Sequence, residues 1–417
     1  MIKCTYLKIG NILTSANQQN FLYNIFLLVL FLMSLSIVSI SVGFTMRIGN
    51  IFILLLFGLI ILDEARKNKL NETLLIFFIF FTFLLFFISK SSEYSKIGEL
   101  KFIIKYGVIF PAVFYIGQWC VQTFSIKRIV KTFEIVMLFY VFMAFLLYVY
   151  PISFLYHDRG ALSGFQGTFF EPGWYALVVG STLMTAVILR WDYNLNFTIK
   201  EYYIYGISLL SIFMSKNKTV WLSIIVILIF LLIMKVFISN NPNTRKSIQK
   251  LKSFNSFGIV FIGIIVVIFF FTINSLLPDS IISMAILEDK LNNERGKAFL
   301  AAIKLLENSN WMGAYGLGFI EQYFSVYTDK IIGLGAGSGM IFNSYLDIWI
   351  SAGIIGLFYH FILLGMSFSR SHLYTLIIPV YWFIAANTNP VIIDEYYYLF
   401  LGISFGLLLK EKKGKHI

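Results

Sequence analysis

Runs of apolar residues recur along the chain, at about Phe21–Phe44, Gly49–Leu62, Thr73–Ser89, Phe102–Phe124, Phe133–Tyr150, Gly173–Leu189, Tyr202–Met214, Thr219–Ile238, Phe257–Leu277, Ile341–Ser367, Leu373–Ala386 and Tyr396–Leu409. Most approach the roughly 20 residues that an α-helix needs to cross about 30 Å of hydrocarbon. Lipid offers backbone N–H and C=O groups no partner, so such runs must satisfy themselves as helices. The pattern predicts an all-α, polytopic integral membrane protein with about twelve transmembrane helices. Tyr202–Met214 is short for a span and is expected to be tilted, broken or partly buried in protein. The first run is longer than a signal-peptide core and ends without a small-x-small cleavage site, so it is expected to remain as a membrane helix.

Composition agrees and narrows the class. Of the 417 residues, 59% are hydrophobic and 13% charged, which excludes a water-soluble globular protein, and 1–417 reads as a single transmembrane domain. A net charge of +12 from 33 Lys and Arg would raise nucleic acid as a partner in a soluble chain. Here the cations lie between apolar runs, so membrane topology explains them and no nucleic acid is expected. With the N-terminus inside, 20 of the 33 fall in the tails and alternate connections, including Arg66, Lys67 and Lys69, Lys127, Arg128 and Lys131, and the C-terminal Lys410, Lys412, Lys413 and Lys415. Both termini are then cytoplasmic.

Two outer connections are longer than a link requires, 151–172 and above all 278–340. The second is expected to carry an amphipathic helix over Asn293–Glu307, with Arg295, Phe299, Ala302 and Leu306 on one arc at about 100° per residue and Lys297 and Lys304 opposite. The glycines that follow, Gly313, Gly316 and Gly318 and then Gly333, Gly335, Gly337 and Gly339, are expected to make the stretch flexible.

These outer segments hold the residues able to carry chemistry. Arg159 and Glu171 flank a Gly-rich turn, and Pro172 after Glu171 places that carboxylate at a helix N-cap. Arg suits anion binding and Glu suits proton abstraction; alternatively Glu171 only caps and Arg159 only pairs with Asp158. Lys216 and Lys218, in a tight turn, are placed to clamp a diphosphate or to snorkel to headgroups. Arg295 is a second guanidinium on the same side, or a snorkelling anchor. Asn343-Ser344-Tyr345-Leu346-Asp347 leads into Gly353 and Gly356, a spacing that usually serves close helix packing. Asp347, inside an apolar run, is expected to face protein or water, and Asp394-Glu395 to line a cavity or lie at the interface. No Walker-type loop, HExxH or CxxC occurs; His157, His360, His372 and His416 lack metal spacing, and Cys4 and Cys120 form no framework. No metal and no cofactor is expected.

Taken together, the large late outer loop, the patches Arg159–Trp174, Lys216–Thr219 and Arg295–Gly318, and Asn343-x9-Gly353-x-x-Gly356 resemble the bacterial O-antigen polymerase and ligase superfamily. The resemblance implies a GT-C-like helical fold in the bacterial inner membrane and a metal-independent glycosyltransferase acting on the periplasmic side. Its substrates would be undecaprenyl-diphosphate-linked oligosaccharides, as donor and acceptor, among membrane lipids, with a chain-length regulator and a flippase as partners. Arg159 and Arg295 match the family's outer-loop arginines that hold the pyrophosphate, and Lys218 stands where the family often has Arg. With Glu171 as base, Lys216, Lys218, Asn343 and Tyr345 complete the candidate set. The family's ligases carry His directly before this Asn, whereas this chain has Phe342, which favours O-antigen or capsule polymerase. A ligase transferring polymer to a lipid A core is the alternative, and a flippase or secondary transporter the rival from another class.

Overall fold

The computed structural model describes residues 15–35, 38–41, 45–90, 99–152, 155, 165–169, 171–215, 217, 220, 223–224, 294–327, 341, 343–369, 372–387 and 389–414. The expected run Phe257–Leu277, all of Thr219–Ile238 but Val220, Ser223 and Ile224, and Arg159, Lys216, Lys218 and Phe342 lie outside them. The helices are α1 (Ser15–Met33), α2 (Ile48–Arg66), α3 (Glu72–Lys90), α4 (Glu99–Ile104), α5 (Phe110–Thr123), α6 (Ile126–Val149), α7 (Pro172–Asp192), α8 (Ile199–Met214), α9 (Glu294–Asn308), α10 (Phe319–Tyr327), α11 (Ser344–Ser367), α12 (Leu373–Ala386) and α13 (Glu395–Gly414). Among the described residues, five helical segments are long and apolar enough to cross a membrane: Ile48–Arg66, Lys101–Thr123, Ile126–Val149, Pro172–Asp192 and Ser344–Ser367. The first expected span is corrected: helix ends at Met33, and Ser39–Ser41 pairs antiparallel with Thr45–Arg47 in a small hairpin, Ile40 opposite Met46.

Two compact units partition the chain. The first holds α1, α2, α6, α7 and α8, cross-linked where apolar faces carry hydroxyl groups. Tyr140 donates to the Leu30 carbonyl at 2.6 Å, and Tyr23 shares a 2.8 Å hydrogen bond with Thr132. The Arg128 guanidinium lies 3.7 Å from the Tyr23 ring centroid, so the same tyrosine fixes a cation at the foot of α6. Tyr175 donates to Ser211 at 2.7 Å and joins α7 to α8.

The second unit holds α3, α4, α5 and α9 to α13. Pro111 has no N–H to give the Gly107 carbonyl one turn earlier. The chain answers with a π-helical segment, Lys105–Ile109, and Thr82 of α3 donates its hydroxyl to that Gly107 carbonyl at 3.2 Å. Further on, α5 and α13 approach backbone to backbone. A β-carbon built at Gly402 would stand 2.1 Å from the Phe114 carbonyl oxygen, and one at Gly117 would stand 2.4 Å from that of Leu399. Small residues permit this approach, which lipid does not drive by itself. Gly402→Ala is therefore expected to cost about 1–3 kcal/mol by overpacking, read as a lowered thermal midpoint in detergent. Gly58→Ala, whose β-carbon meets nothing within 4 Å, should leave the midpoint unchanged or raise it.

Candidate functional site

The run expected to be one span, Ile341–Ser367, is the main departure from the sequence reading. Helix starts at Ser344 with Asn343 as N-cap, its side-chain oxygen accepting from the N–H groups of Tyr345 and Leu346 at 3.0 Å each. At Gly353 the backbone leaves helical space, with φ 66° and ψ −169°. Tyr345 nevertheless stacks on Phe361, ring centroids 5.5 Å apart. Sixteen residues of straight helix span about 24 Å, so α11 doubles back at Gly353 into two arms. Gly356, paired with Gly353 by spacing, serves that closure: a β-carbon there would meet the Ala352 and Ile348 side chains of the first arm at 2.5 and 3.1 Å.

Breaking a helix frees carbonyl groups, and another segment takes them up. The Ile350 and Ser351 carbonyls accept from the Tyr315 and Gly316 N–H groups at 2.8 and 2.9 Å. Trp349 Nε1 donates to the Trp311 carbonyl at 3.0 Å. The segment expected to be flexible at Gly313–Gly318 is thus fixed against the hairpin. Its contact is too close for a side chain, since a β-carbon at Gly313 would stand 2.0 Å from the Trp349 carbonyl oxygen. Leading into it, α9 buries Ala298, Ala301, Ala302, Leu305 and Leu306, in one cluster with Leu346 and Ile350 of the first arm. The amphipathic helix is present, one residue later than expected at each end. Helical spacing puts position 295 on the arc of Ala302 and Leu306; the Arg295 side chain lies outside the described residues.

Around the first arm sit charged groups that the sequence did not connect. Asp347 accepts from Ser351 at 3.3 Å. Lys101, just before the π-helical segment, donates to both carboxylate oxygens of Glu321 on α10, at 2.8 and 3.2 Å. Glu321 and Tyr106 are near enough to interact electrostatically with Asp347. Lys101 and Glu321 are 220 residues apart, and no local motif announces them. At the far side of the arm, Ser344 donates to the Asn389 carbonyl at 2.6 Å and the Asn343 amide reaches Asn387 at 3.4 Å. Tyr345 is buried, against Phe361 and Phe383. Asp394 accepts from the Tyr396 N–H at 2.9 Å and, with Glu395, is buried at the head of α13.

In the first unit, Glu171 is the N-cap of α7 with Pro172 at the first helical position, as the sequence predicts. The approach to it is held by Phe165 and Phe169, whose rings pack edge-on against Tyr175 at 5.6 and 5.9 Å. The Glu171 side chain makes no cap hydrogen bond. The candidate set therefore divides between the units: Glu171 in the first, and Arg295, Asn343 and Tyr345 in the second. Among the described residues, no group of three His, Cys, Asp or Glu side chains is placed to hold a metal ion.

The doubled-back helix makes a direct prediction. In a background with Cys4→Ser and Cys120→Ser, a Tyr345→Cys/Phe361→Cys pair should be joined by a short thiol-specific cross-linker, detected by mass spectrometry. A straight helix would hold those positions too far apart to react. Adding Gly353→Ala, which forces a methyl to 3.0 Å from the Met312 carbonyl oxygen at positive φ, should abolish the cross-link.

No curated protein and no solved structure matches the chain. A family model described as O-antigen ligase matches residues 204–361, from α8 through the break at Gly353 into the second arm of α11, and this is consistent with a member of the O-antigen polymerase and ligase superfamily.

Proposed function

We propose that this membrane protein is a polysaccharide polymerase that joins undecaprenyl-diphosphate-linked repeat units, of O-antigen or capsule type, on the periplasmic side of the bacterial inner membrane. The observation that carries the class is the family match over 204–361, which contains α9 and the reversal of α11 at Gly353. Within that class, Phe342, where the superfamily's ligases resemble one another in carrying His, favours polymerisation over ligation. Both termini are cytoplasmic in this reading, which follows the distribution of Lys and Arg.

The reaction is a glycosyl transfer. A sugar hydroxyl of one lipid-linked unit attacks the anomeric carbon of another; a new C–O bond forms, the bond to the diphosphate breaks, and the carrier diphosphate leaves with its electron pair. Arg159 and Arg295 are assigned to hold that diphosphate, because planar guanidinium groups match phosphate oxygens two at a time and stabilise the charge that develops there. Lys216 and Lys218 assist as point charges. Glu171 takes the hydroxyl proton, and Asn343 and Tyr345, at the start of the hairpin, are the remaining substrate-binding residues. No cofactor enters the reaction, and the leaving group's charge is assigned to these cations rather than to a metal ion. A chain-length regulator and a flippase are the expected partners.

The second reading, transfer of finished polymer to a lipid A core, has the family model's own description in its favour. For the polymerase, Arg159→Ala and Arg295→Ala, each expressed in a deletion strain, should lower long-chain product about a hundredfold or more, with protein level unchanged by immunoblot. Normal long-chain product from both variants would sink the assignment of the arginines.

A further inference from the structure

A cavity of about 530 Å³ opens in the first unit, between the N-terminal half of α6, the C-terminal end of α7 and the start of α8. Four cations and two carboxylates line it, a surplus of two positive charges: Lys127, Lys131, Arg190 and Lys200 against Glu134 and Glu201. Arg190 belongs to the wall. Its guanidinium donates to Glu134 at 2.8 Å, to the Tyr205 hydroxyl at 2.9 Å and to the Asn196 carbonyl at 2.6 Å, and pairs with Glu201 at 3.1 Å. The Thr198 hydroxyl, which donates to Glu201, together with Arg190 holds that carboxyl below the usual carboxylate range. Arg190 is thereby matched by two carboxylates, and the connection between α7 and α8 is pinned as one side of the cavity. Arg190 offsets one of the two carboxylates it pairs with, and the three lysines, all exposed, outweigh the other and give the opening its net positive charge.

The outer face of α6 gives this charge a direction. Lys127, Lys131, Ile135, Leu138 and Phe142 follow one another at spacings of four, four, three and four, so they form one stripe along the helix. Ile135 and Leu138 are 37% exposed and Phe142 63%. The stripe passes from cations at the end of the helix to bare apolar side chains toward its middle. A membrane lipid has the same order, a charged headgroup followed by acyl chains, and a soluble phosphate has no use for the apolar half.

We propose that this cavity is a binding site for a phosphate-bearing lipid, the headgroup phosphate lying among Lys127, Lys131 and Lys200 and the acyl chains running along Ile135, Leu138 and Phe142. Basic pockets between membrane helices on the cytoplasmic side recognise anionic headgroups in this way. The site is independent of the polymerase reading, whose residues lie in other segments.

Native mass spectrometry of the purified full chain tests it, with phosphatidylglycerol, phosphatidylcholine and inorganic phosphate as probes. Phosphatidylglycerol should bind at least about tenfold more tightly than phosphatidylcholine. A Lys127→Gln/Lys131→Gln/Lys200→Gln variant, with Arg190 intact and an unchanged thermal midpoint, should lose that preference. Arg66→Gln/Lys69→Gln, which removes cations outside the cavity, should keep it. Equal binding of the two lipids, or a preference that survives the triple substitution, would overturn the proposal. Displacement of the lipid by inorganic phosphate at matching concentration would overturn the lipid as the ligand and leave a soluble phosphate in its place.

Discussion

The break of α11 at Gly353 is the constraint on which the second unit turns. A helix that stops inside an apolar environment leaves carbonyl groups with no water to take, and each such group unsatisfied costs on the order of several kcal/mol. Here the Ile350 and Ser351 carbonyls are taken by the N–H groups of Tyr315 and Gly316. The exchange explains why glycines gather in two distant stretches. Gly353 supplies the positive φ that reverses the chain, and Gly313 allows the incoming backbone to lie against Trp349. It also explains why α9 must fold: its buried alanines and leucines cover the first arm and deliver the 311–316 segment to the break.

The same logic operates at the π-helical turn ahead of α5. Pro111 removes one donor, and the Thr82 hydroxyl of a neighbouring helix, which also donates to its own Phe78 carbonyl at 2.7 Å, reaches the Gly107 carbonyl. In both places the irregularity is an exchange of hydrogen bonds between elements, so each distortion also fixes a neighbour. A discontinuous helix buried in protein is where membrane proteins bring backbone and ionisable groups to a substrate. Asp347, with Lys101 and Glu321 near it, lies on the first arm ahead of this break, and Asn343 and Tyr345 stand at the start of the same arm.

Apolar periodicity made most of the helices legible: Leu373–Ala386 is reproduced to the residue, and Glu171 stands at the N-cap that Pro172 implied. What it missed has a common physical cause. Hydropathy sums along the chain and is blind to the sign of φ, so a run that doubles back at Gly353 reads as one long span. Gly353 and Gly356 were visible as a pair, and their spacing pointed to close packing without saying that the surfaces packed were two arms of one helix. The hairpin after α1 was hidden in the same way, its first strand inside the apolar run Phe21–Phe44 and its second just past it. Ion pairs between distant segments, Lys101 with Glu321 and Arg190 with Glu134, carry no local signature at all.

Under the proposed function, polymer length on the carrier lipid reports the activity. The most direct measurement is the size distribution of carrier-linked and surface-linked polysaccharide from a strain lacking this protein. A polymerase predicts single repeat units and no long chains in either pool. Long polymer accumulating on the carrier lipid would contradict that account and identify a ligase instead.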